Sequence, residues 1–569
     1  MQGPRAVLLG LLAAAQALAG QVPAAAPASS RPVLCGTRLL AEERPPLPGR
    51  EALDEWLAAH PASKPLGRSG AAQAEIAVGT ALPFAVAGVP ALVSATCEYV
   101  GDHLYVFVED RAWDTNGGSV LQSHVDSLGL LFDRRCPADP DRGVYELEVE
   151  TFGPPPDVDG YERIFVLVLD IPDARVVGYF DPEVAAHPVP ELRRDMLFID
   201  ELALRRYDLL YLGRGTLAHE LQHLISWGQD PDEDLWIDEG MSGYAEEVAG
   251  YPEADPGAVP AFLQRPDTAL MEWRDASQNY GMTYLFVSAL AEWYGRPLVR
   301  RLAAEPRNGR AGLDAALAGA GLTADFGSVW GRWVAGNWAV DDPDLGYAAL
   351  RGRRVASLLV ERLPLDPKGA VVGGQWGATT VVFRTPGDVA VQLDGGDAGR
   401  FRAWAYALRQ GRGELEELEL DSANRGMVTV RGIDSLALVV GRTSLAGREF
   451  EVAAAQAVPT LVGRAEALPL TWRLEPAYPN PFNSLLRVPL VLDRDRSVEL
   501  EVVDALGQRV RLLHRGLLGP GRHELTWDGR DNGGRAAASG RYLVVLRSVG
   551  ADPAPAPRAS AALSVTYLQ

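Results

Sequence analysis

The chain has 569 residues, which is too long for one ordinary hydrophobic core and predicts several domains. Its 75 acidic residues outnumber its 54 basic residues, and the resulting net charge of −21 argues against nucleic acid and anionic membranes as partners. Hydrophobic residues make up 47% of the sequence, as is typical of a folded protein.

The N-terminus carries the pattern of an export signal. Arg5 precedes an apolar run from Ala6 to Ala19, which ends in the small residues Ala17-Leu-Ala-Gly20. This pattern is typical of a secretory signal peptide and is too short to span a bilayer. We therefore predict a signal peptide at 1–20, no transmembrane segment elsewhere, and a protein that is secreted or held at the cell surface.

Residues 21–75 are rich in Ala and Pro, with one short helical pattern at Glu51–Leu57, and are interpreted as a linker or propeptide. They contain Cys35, one of three cysteines. An exported protein can keep a disulfide, and Cys97 could pair with Cys136, which would leave Cys35 odd. In a propeptide, the Cys35 thiolate could cap a metal ion and keep an enzyme latent. An unpaired cysteine, or one removed with the propeptide, is the simpler alternative.

From about residue 76 the sequence predicts a mixed sheet with helices. Val120–Leu131 has apolar residues at helical spacing, whereas four later or neighbouring segments have the alternation or continuous apolar run of strands. These predicted strands are His103–Glu109, Tyr145–Glu150, Ile164–Leu169 and Asp195–Asp200.

The next stretch, 215–227, is predicted to be a helix that carries metal ligands. His219 and His223 are four residues apart and therefore lie on one face of the helix. That spacing allows two imidazoles to bind one metal ion, and Glu220 lies beside them, near a metal-bound water. A catalytic zinc takes three protein ligands and keeps one position open. The sequence therefore predicts Zn²⁺ at this helix.

A second acidic segment, Trp236–Glu247, follows after a loop whose turn residues can reverse the chain. Glu239 stands at the start of a second predicted helix and is the candidate for the third ligand. Asp238 remains the alternative.

The two segments His219-Glu-Leu-Gln-His223 and Trp236–Glu247 resemble the gluzincin zinc metallopeptidases, most closely the hyicolysin-like secreted bacterial group. In that group the second motif is more often Asn-Glu-Gly-Leu-Ser, so Asp238 and Met241 are mild departures. Asp157–Tyr161 and Gly178–Asp181 also look like this group. The resemblance implies a zincin-like metallopeptidase domain, predicted at 76–348, with Glu220 as general base.

Other zinc peptidase groups fit less well. Metzincins have a Gly and a third His where this chain has Ser226 and Gln229, and thermolysin-type enzymes have an Asp where this chain has Gly243. The exopeptidase signature of gluzincin aminopeptidases, Gly-x-Met-x-Asn, is missing from the sequence.

The half of this domain after the metal motif is predicted to be helical, including Asn279–Gly295. Gluzincins often place a Tyr or His there to stabilise the oxyanion of the reaction. Tyr280 is the first candidate for this role, and Tyr284 and Tyr244 are the next. Core packing is the alternative for each of the three.

Two β-rich regions follow. Short strands separated by Gly and Asp turns predict a β-sandwich at 349–466, in which no group of residues indicates chemistry.

The last region, 476–569, opens with Tyr478-Pro-Asn-Pro-Phe-Asn483 and continues with VVDALGQRV, LTWDGRDNGG and SGRYLVVL. These motifs resemble the FlgD-type immunoglobulin-like domain, which sorts exported proteins to the type IX secretion machinery. The resemblance implies an outer-membrane secretion partner and a Gram-negative type of bacterium.

The sequence thus predicts a multidomain α+β protein with a zincin-like domain followed by two β-sandwich domains. The predicted function is a secreted zinc endopeptidase that acts on protein or peptide substrates. The alternative is an exported, non-catalytic adhesin or scaffold with an idle metal site.

Overall fold

The structure is a computed structural model. It describes residues 35–39, 45–61, 76–114, 118–171, 173, 175–205, 210–252, 255–274, 276–457, 472–492, 496–504, 507–519, 521–548 and 560–568. The chain divides into two compact units, Met1–Val458 and Pro459–Gln569. The predicted signal peptide, 1–20, lies outside the described residues. Within the described ranges, no helix combines the length and the hydropathy that a membrane crossing requires.

The first unit is built on a six-stranded mixed sheet. Two helices precede it, α1 (Gly36–Leu39) and α2 (Arg50–Ala59). Its strands run in the order β1-β2-β3-β4-β6-β5, with β3, β4 and β6 parallel and the remaining pairs antiparallel. The strands are β1 (Ala81–Phe84), β2 (Val93–Val100), β3 (Leu104–Glu109), β4 (Ile164–Leu169), β5 (Gly178–Phe180) and β6 (Met196–Asp200).

Both faces of this sheet are covered. Every residue of β3 and β4 is buried, as expected for parallel strands with a packed layer on each side. Val106 belongs to the core on the helical face, and Phe107 belongs to the core on the opposite face. Strand β5 lies at the edge, paired only with β6 among the described strands. The predicted strands at 103–109, 164–169 and 195–200 are confirmed.

Helices pack on the sheet and follow it. The predicted helix at 120–131 is confirmed as α3, and α7 carries the two histidines. These helices are α3 (Gln122–Asp133), α4 (Val144–Phe152), α5 (Pro182–Ala185), α6 (Glu201–Arg205), α7 (Leu210–Gln229), α8 (Leu235–Val248), α9 (Ala258–Gln264), α10 (Ser277–Tyr294), α11 (Arg296–Ala303), α12 (Gly309–Gly319) and α13 (Phe326–Gly336).

The predicted strand Tyr145–Glu150 is wrong, because this segment forms helix α4. Its buried residues are Val144, Leu147, Glu148, Thr151 and Phe152, which recur at intervals of three and four. The six alternating residues concealed the helical period for two reasons. One buried position is the acidic residue Glu148, and the buried residues Val144, Thr151 and Phe152 lie outside the alternating segment.

Strands β7 to β15 form two facing sheets around a separate core. The strands are β7 (Ser357–Val360), β8 (Leu365–Val371), β9 (Ala378–Phe383), β10 (Gly387–Asp394), β11 (Phe401–Arg409), β12 (Arg412–Glu417), β13 (Arg425–Ile433), β14 (Ser435–Arg442) and β15 (Glu449–Gln456). This arrangement is the β-sandwich that the sequence predicts for this region.

The sandwich packs firmly against the helices of the same unit. The indole of Trp330, on α13, donates a hydrogen bond to the carbonyl of Trp376 at 2.9 Å. Its ring also meets the rings of Trp376 and Trp404 edge-on, with centroids 5.1 and 5.3 Å apart. The chain therefore divides into compact units after Val458. The helical region before 348/349 and the β-sandwich after it belong to the same unit. The predicted domain limits remain a prediction.

The second unit contains a three-stranded and a four-stranded antiparallel sheet around a core that includes Phe482, Trp527 and Tyr567. The strands are β16 (Trp472–Leu474), β17 (Leu486–Leu492), β18 (Arg496–Val503), β19 (Arg509–Leu518), β20 (Gly521–Trp527), β21 (Gly540–Ser548) and β22 (Ser560–Tyr567). Two antiparallel sheets around one core agree with the second β-sandwich that the sequence predicts.

The cysteine pairing considered above does not form. Cys97 and Cys136 are both free and buried. They belong to the two different cores on opposite faces of the six-stranded sheet, so the sheet itself separates them.

Candidate metal centre

Helix α7 places its two histidines on one face, pointing toward α8. His219 and His223 are 7% and 2% exposed, and their ring centroids are 4.9 Å apart. The opposite side of α7 is anchored in the core by Leu217, Leu221 and Leu224, which are fully buried. The helix is therefore fixed in rotation by its apolar side, and this fixes the direction of the imidazoles.

Glu239 comes from α8 and faces both rings. Its Oε2 atom lies 3.3 Å from Nε2 of His219 and 3.7 Å from Nε2 of His223. Helix α8 begins at Leu235, so Glu239 lies in its second turn, slightly deeper than the helix start expected from the sequence. The loop 230–234 reverses the chain between the two helices, as its turn residues predict.

The far nitrogen of each imidazole is held by a carboxylate. Nδ1 of His219 lies 3.0 Å from Oε1 of Glu246, and Nδ1 of His223 lies 3.0 Å from Oδ2 of Asp238. A carboxylate accepts a hydrogen bond from Nδ1–H, which fixes the tautomer and leaves the lone pair of Nε2 directed at the centre of the cluster. Asp238, the alternative third ligand, is thus hydrogen-bonded to Nδ1 of His223 on the side away from the centre, whereas Glu239 faces the centre.

Sequence reasoning missed the supporting residues Ser242 and Glu246. The Ser242 hydroxyl lies 3.2 Å from Nδ1 of His223. Glu239, Ser242 and Glu246 recur at helical intervals of three and four, so all three lie on one face of α8. That periodicity is the signal that would have found them.

The donor atoms fit a divalent metal such as zinc. Nε2 of His219 and Oε2 of Glu239 are buried and have no hydrogen-bond partner in the described part of the chain. Buried polar atoms without partners are rare, because each one loses its hydration with no compensation. Two imidazoles and one carboxylate are a donor set that catalytic zinc uses. These atoms and Sγ of Cys35 all lie within 4.8 Å of one another.

Glu220 lies beside this cluster and is 1% exposed. It accepts a hydrogen bond from the Thr37 hydroxyl at 3.0 Å. Burial raises the pKa of its carboxyl, although the neighbouring His219 and His223 act in the opposite direction. A carboxyl with a raised pKa beside a ligand cluster is suited to accepting and returning a proton.

A cleft of about 630 Å³ opens onto the cluster. It is lined by His219, Glu220 and Glu239, by Val177 and Gly178 at the edge of the sheet, and by Tyr280 and Tyr284 of α10. The hydroxyl of Tyr284 donates to Oε2 of Glu247 at 2.9 Å, which engages it away from the cluster. Tyr244 packs edge-on against Phe152 in the core and does not line the cleft. Tyr280 and Tyr284 thus line the cleft and Tyr244 does not, and Tyr280 stays the first candidate.

Comparison with known proteins adds two findings on sequence. The FlgD Ig-like domain family matches residues 487–552. Over 263 residues the chain is 24% identical to the neutral metalloprotease ShpI of Staphylococcus hyicus, a match that covers 39% of this chain and 53% of that protein. The chain thus spans about half the length of this curated relative.

Solved structures give only weak likenesses. Dimeric latent PorU from Porphyromonas gingivalis is 15% identical with a TM-score of 0.17, over 32% of this chain and 18% of that chain. A β-glucuronidase from Ruminococcus gnavus is 9% identical with a TM-score of 0.14, over 33% of this chain and 35% of that one. The two sequence matches show that the chain has a metalloprotease-like stretch and a FlgD Ig-like stretch.

Proposed function

We propose that the protein is a secreted zinc-dependent endopeptidase of the gluzincin type. The observation that carries this proposal is the convergence of Nε2 of His219, Nε2 of His223 and Oε2 of Glu239 on one point, next to the buried carboxyl of Glu220. The similarity to ShpI, a neutral metalloprotease, supports it.

In this proposal zinc, when bound, polarises the scissile carbonyl and lowers the pKa of a bound water. Glu220 takes the proton from the attacking water at its carboxylate and returns it to the leaving amine. Glu246 and Asp238 hold the two imidazoles in orientation through Nδ1. The tetrahedral oxyanion needs a further donor, and the Tyr280 hydroxyl is proposed for that role because Tyr280 lines the cleft.

The edge strand β5 favours an extended peptide as the substrate. Val177 and Gly178 line the cleft, and an edge strand offers backbone donors and acceptors with which a peptide can pair. Because backbone pairing does not require a free chain end, this arrangement is suited to endopeptidase cleavage.

Degradation of casein by the purified protein, with and without a chelator, tests the proposal. A zinc endopeptidase cleaves casein at internal bonds, loses the activity on chelation and regains it with added zinc. If the zinc-loaded protein, with residues 1–75 removed by limited proteolysis, leaves casein intact, the enzyme proposal fails and the exported adhesin or scaffold becomes the better account.

We further propose that residues 476–569 sort the protein to outer-membrane secretion machinery, on the strength of the FlgD Ig-like match. Removal of 476–569 should leave peptidase activity per molecule nearly unchanged, because all proposed site residues lie in the first unit. Export from the native host should fail. Normal release of the truncated chain would refute the sorting role.

A further inference from the structure

The first described residue, Cys35, lies inside the metal cluster. Its Sγ atom is 3.5 Å from Nε2 of His223 and 3.5 Å from Oε1 of Glu220. It precedes α1 and lines the same cleft as His219 and Glu239.

We propose that Cys35 is a fourth protein ligand of the zinc site, so that the segment 35–39 keeps the full-length chain latent. This inference rests on the proposed function. In a catalytic zinc site the fourth position belongs to water or substrate. On coordination, the Cys35 S–H bond breaks, its proton leaves to solvent, a Zn–S bond forms and the water is displaced. No electrons are transferred.

The distances in the cluster agree with a tetrahedral site. Zn–S bonds of about 2.3 Å and Zn–N bonds of about 2.1 Å place S and N about 3.6 Å apart around a tetrahedral ion. The distance between Sγ of Cys35 and Nε2 of His223 is 3.5 Å. Two ligands with bonds of about 2.1 Å are likewise about 3.4 Å apart, against 3.3 Å between His219 Nε2 and Glu239 Oε2.

Two further ligand atoms beside Cys35 also point to a bound ion. Nε2 of His219 and Oε2 of Glu239 are buried, lack hydrogen-bond partners in the described structure and belong to the same cluster of ligand atoms. A metal ion at the centre of the four atoms satisfies both orphaned atoms and gives the thiolate a cation.

The segment around Cys35 is fitted to the cleft. The Thr37 hydroxyl donates to Oε2 of Glu220 and accepts from the backbone N–H of Phe180 on the edge strand, both at 3.0 Å. A Cβ added to Gly36 would lie 2.4 Å from Cγ1 of Val176 and 3.0 Å from Cβ of Tyr179, so only glycine fits between them. The segment therefore contacts the metal-ligand cluster, the proposed base Glu220 and the edge strand β5 at the same time.

Cobalt substitution of the full-length chain tests the coordination. Co²⁺ bound by a thiolate shows a near-ultraviolet sulfur-to-metal charge-transfer band, in addition to the visible d–d bands of any bound Co²⁺. The parent should show both, and Cys35→Ala should keep the d–d bands and lose the charge-transfer band. Cys136→Ala, which removes a thiol from the same unit, is the matched control and should keep both.

Each outcome decides something. Bound cobalt without a charge-transfer band in the parent, or a band that survives Cys35→Ala, overturns the inference and leaves the proposed function standing. A parent that binds no cobalt overturns both.

Peptidase activity gives a second readout. Full-length Cys35→Ala should be about tenfold or more active than the full-length parent. In the parent, Cys35 leaves the metal only for a small fraction of the time, and the apparent affinity for substrate is reduced by that fraction. Equal activity in the two chains overturns the latency.

Asp157, Asp159 and Asp195 form a second cluster of possible ligand atoms. Asp159 and Asp195 are 5% and 2% exposed. Oδ2 of Asp159 and Oδ1 of Asp195 have no hydrogen-bond partner within the described ranges. The nearby Arg194 guanidinium hydrogen-bonds to the carbonyls of Glu191 and Arg193. The positive charge of Arg194 acts on both carboxylates, but since its guanidinium hydrogen bonds go to these carbonyls, the two buried carboxylate oxygens are left without a donor.

We infer that these three carboxylates bind one Ca²⁺ ion. One oxygen from each lies within 4.8 Å of the other two. Calcium–oxygen distances of about 2.4 Å allow a single ion to contact all three. The remaining oxygens of the buried pair accept backbone N–H groups of Tyr161 at 2.9 Å and Val158 at 2.7 Å, which fixes the loop around the ion.

Calorimetric titration of the zinc-loaded, calcium-free protein with CaCl₂ tests this site. One Ca²⁺ should bind per chain and raise the melting temperature. Asp157→Asn, at an exposed position that the fold tolerates, should weaken binding by at least about tenfold. The exposed neighbour Glu162→Gln should bind as the parent does. No calcium binding, or binding that Asp157→Asn leaves unchanged, overturns the inference.

Discussion

The two units differ in whether their buried charged side chains have partners. In the second unit, Glu499 and Glu501 are 7% and 2% exposed, and each is paired with arginine, including Arg509, which bridges the two. In the first unit, His219 and Glu239 are equally buried, yet Nε2 of one and Oε2 of the other face each other at 3.3 Å and have no hydrogen-bond partner in the described part of the chain. Burial with partners is what folding alone requires, whereas burial without partners points to a ligand.

The largest expected effect comes from removing a metal-facing imidazole. His219→Ala should lose both zinc and activity, because three protein ligands are needed to hold a catalytic zinc. Zinc content of the purified variant is the measurement. Asp238→Asn, which changes a residue behind His223, should retain more zinc than Glu239→Gln. Equal zinc in the parent and His219→Ala would mean that the ion binds elsewhere.

In the second unit, removing a buried charge should reduce stability without affecting the metal site. Oε1 of Glu501 lies 2.8 Å from the Arg547 guanidinium, and its other oxygen pairs with Arg509. Glu501→Ala leaves the half-exposed guanidinium groups of Arg509 and Arg547 without this partner, and since water can rehydrate them the stability of the second unit should fall by only about 1–2 kcal/mol. Hydrogen exchange of the amides of β18 and β21 at increasing urea concentration measures it in the second unit alone. Zinc content should not change; a loss of zinc would break the contrast between the units.

A smaller effect is expected behind the metal. Glu246→Gln removes the carboxylate that orients His219 and should weaken zinc binding about 10- to 100-fold. Competition with a chromophoric chelator measures the affinity. Glu247→Gln is the matched control, because Glu247 accepts from the hydroxyls of Tyr284 and Ser288 instead. If both variants bind zinc equally, Glu246 has no orienting role.

The smallest effect concerns Glu233, in the loop between α7 and α8. Burial raises the pKa of its carboxyl to about 7, although hydrogen bonds from the N–H groups of Gly309 and Asp234 oppose the shift. The folded state therefore holds a proton that the unfolded state has released, and the stability from this group falls as pH rises from the ordinary Glu value of about 4.3 toward 7.

Glu233→Gln keeps the acceptor oxygen and removes the titration. Its melting temperature should fall less than that of the parent between pH 5 and 7. Titration of the histidines is common to both proteins and cancels in the comparison. Parallel curves would show that Glu233 is ionised in the folded state throughout this range.

The sequence was most informative where one period dominates a long segment. The His219–His223 spacing and the strands at 164–169 and 195–200 all follow from local pattern. Helix α4 was misread because six alternating letters cannot distinguish a strand from a helix that buries Glu148. The position of Cys35 against Glu220 depends on a contact across 185 residues, which no local pattern encodes.

The central claim is that Glu220 performs chemistry beside a metal that it does not hold. Glu220→Gln keeps the size of the side chain and removes the base. The measurement is peptide hydrolysis and zinc content on one preparation, from which the segment preceding residue 76 has been removed by limited proteolysis. The account predicts a full complement of zinc and a loss of cleavage by about a hundredfold or more, the contribution typical of general-base catalysis. Cleavage at the parental rate with zinc in place would contradict it.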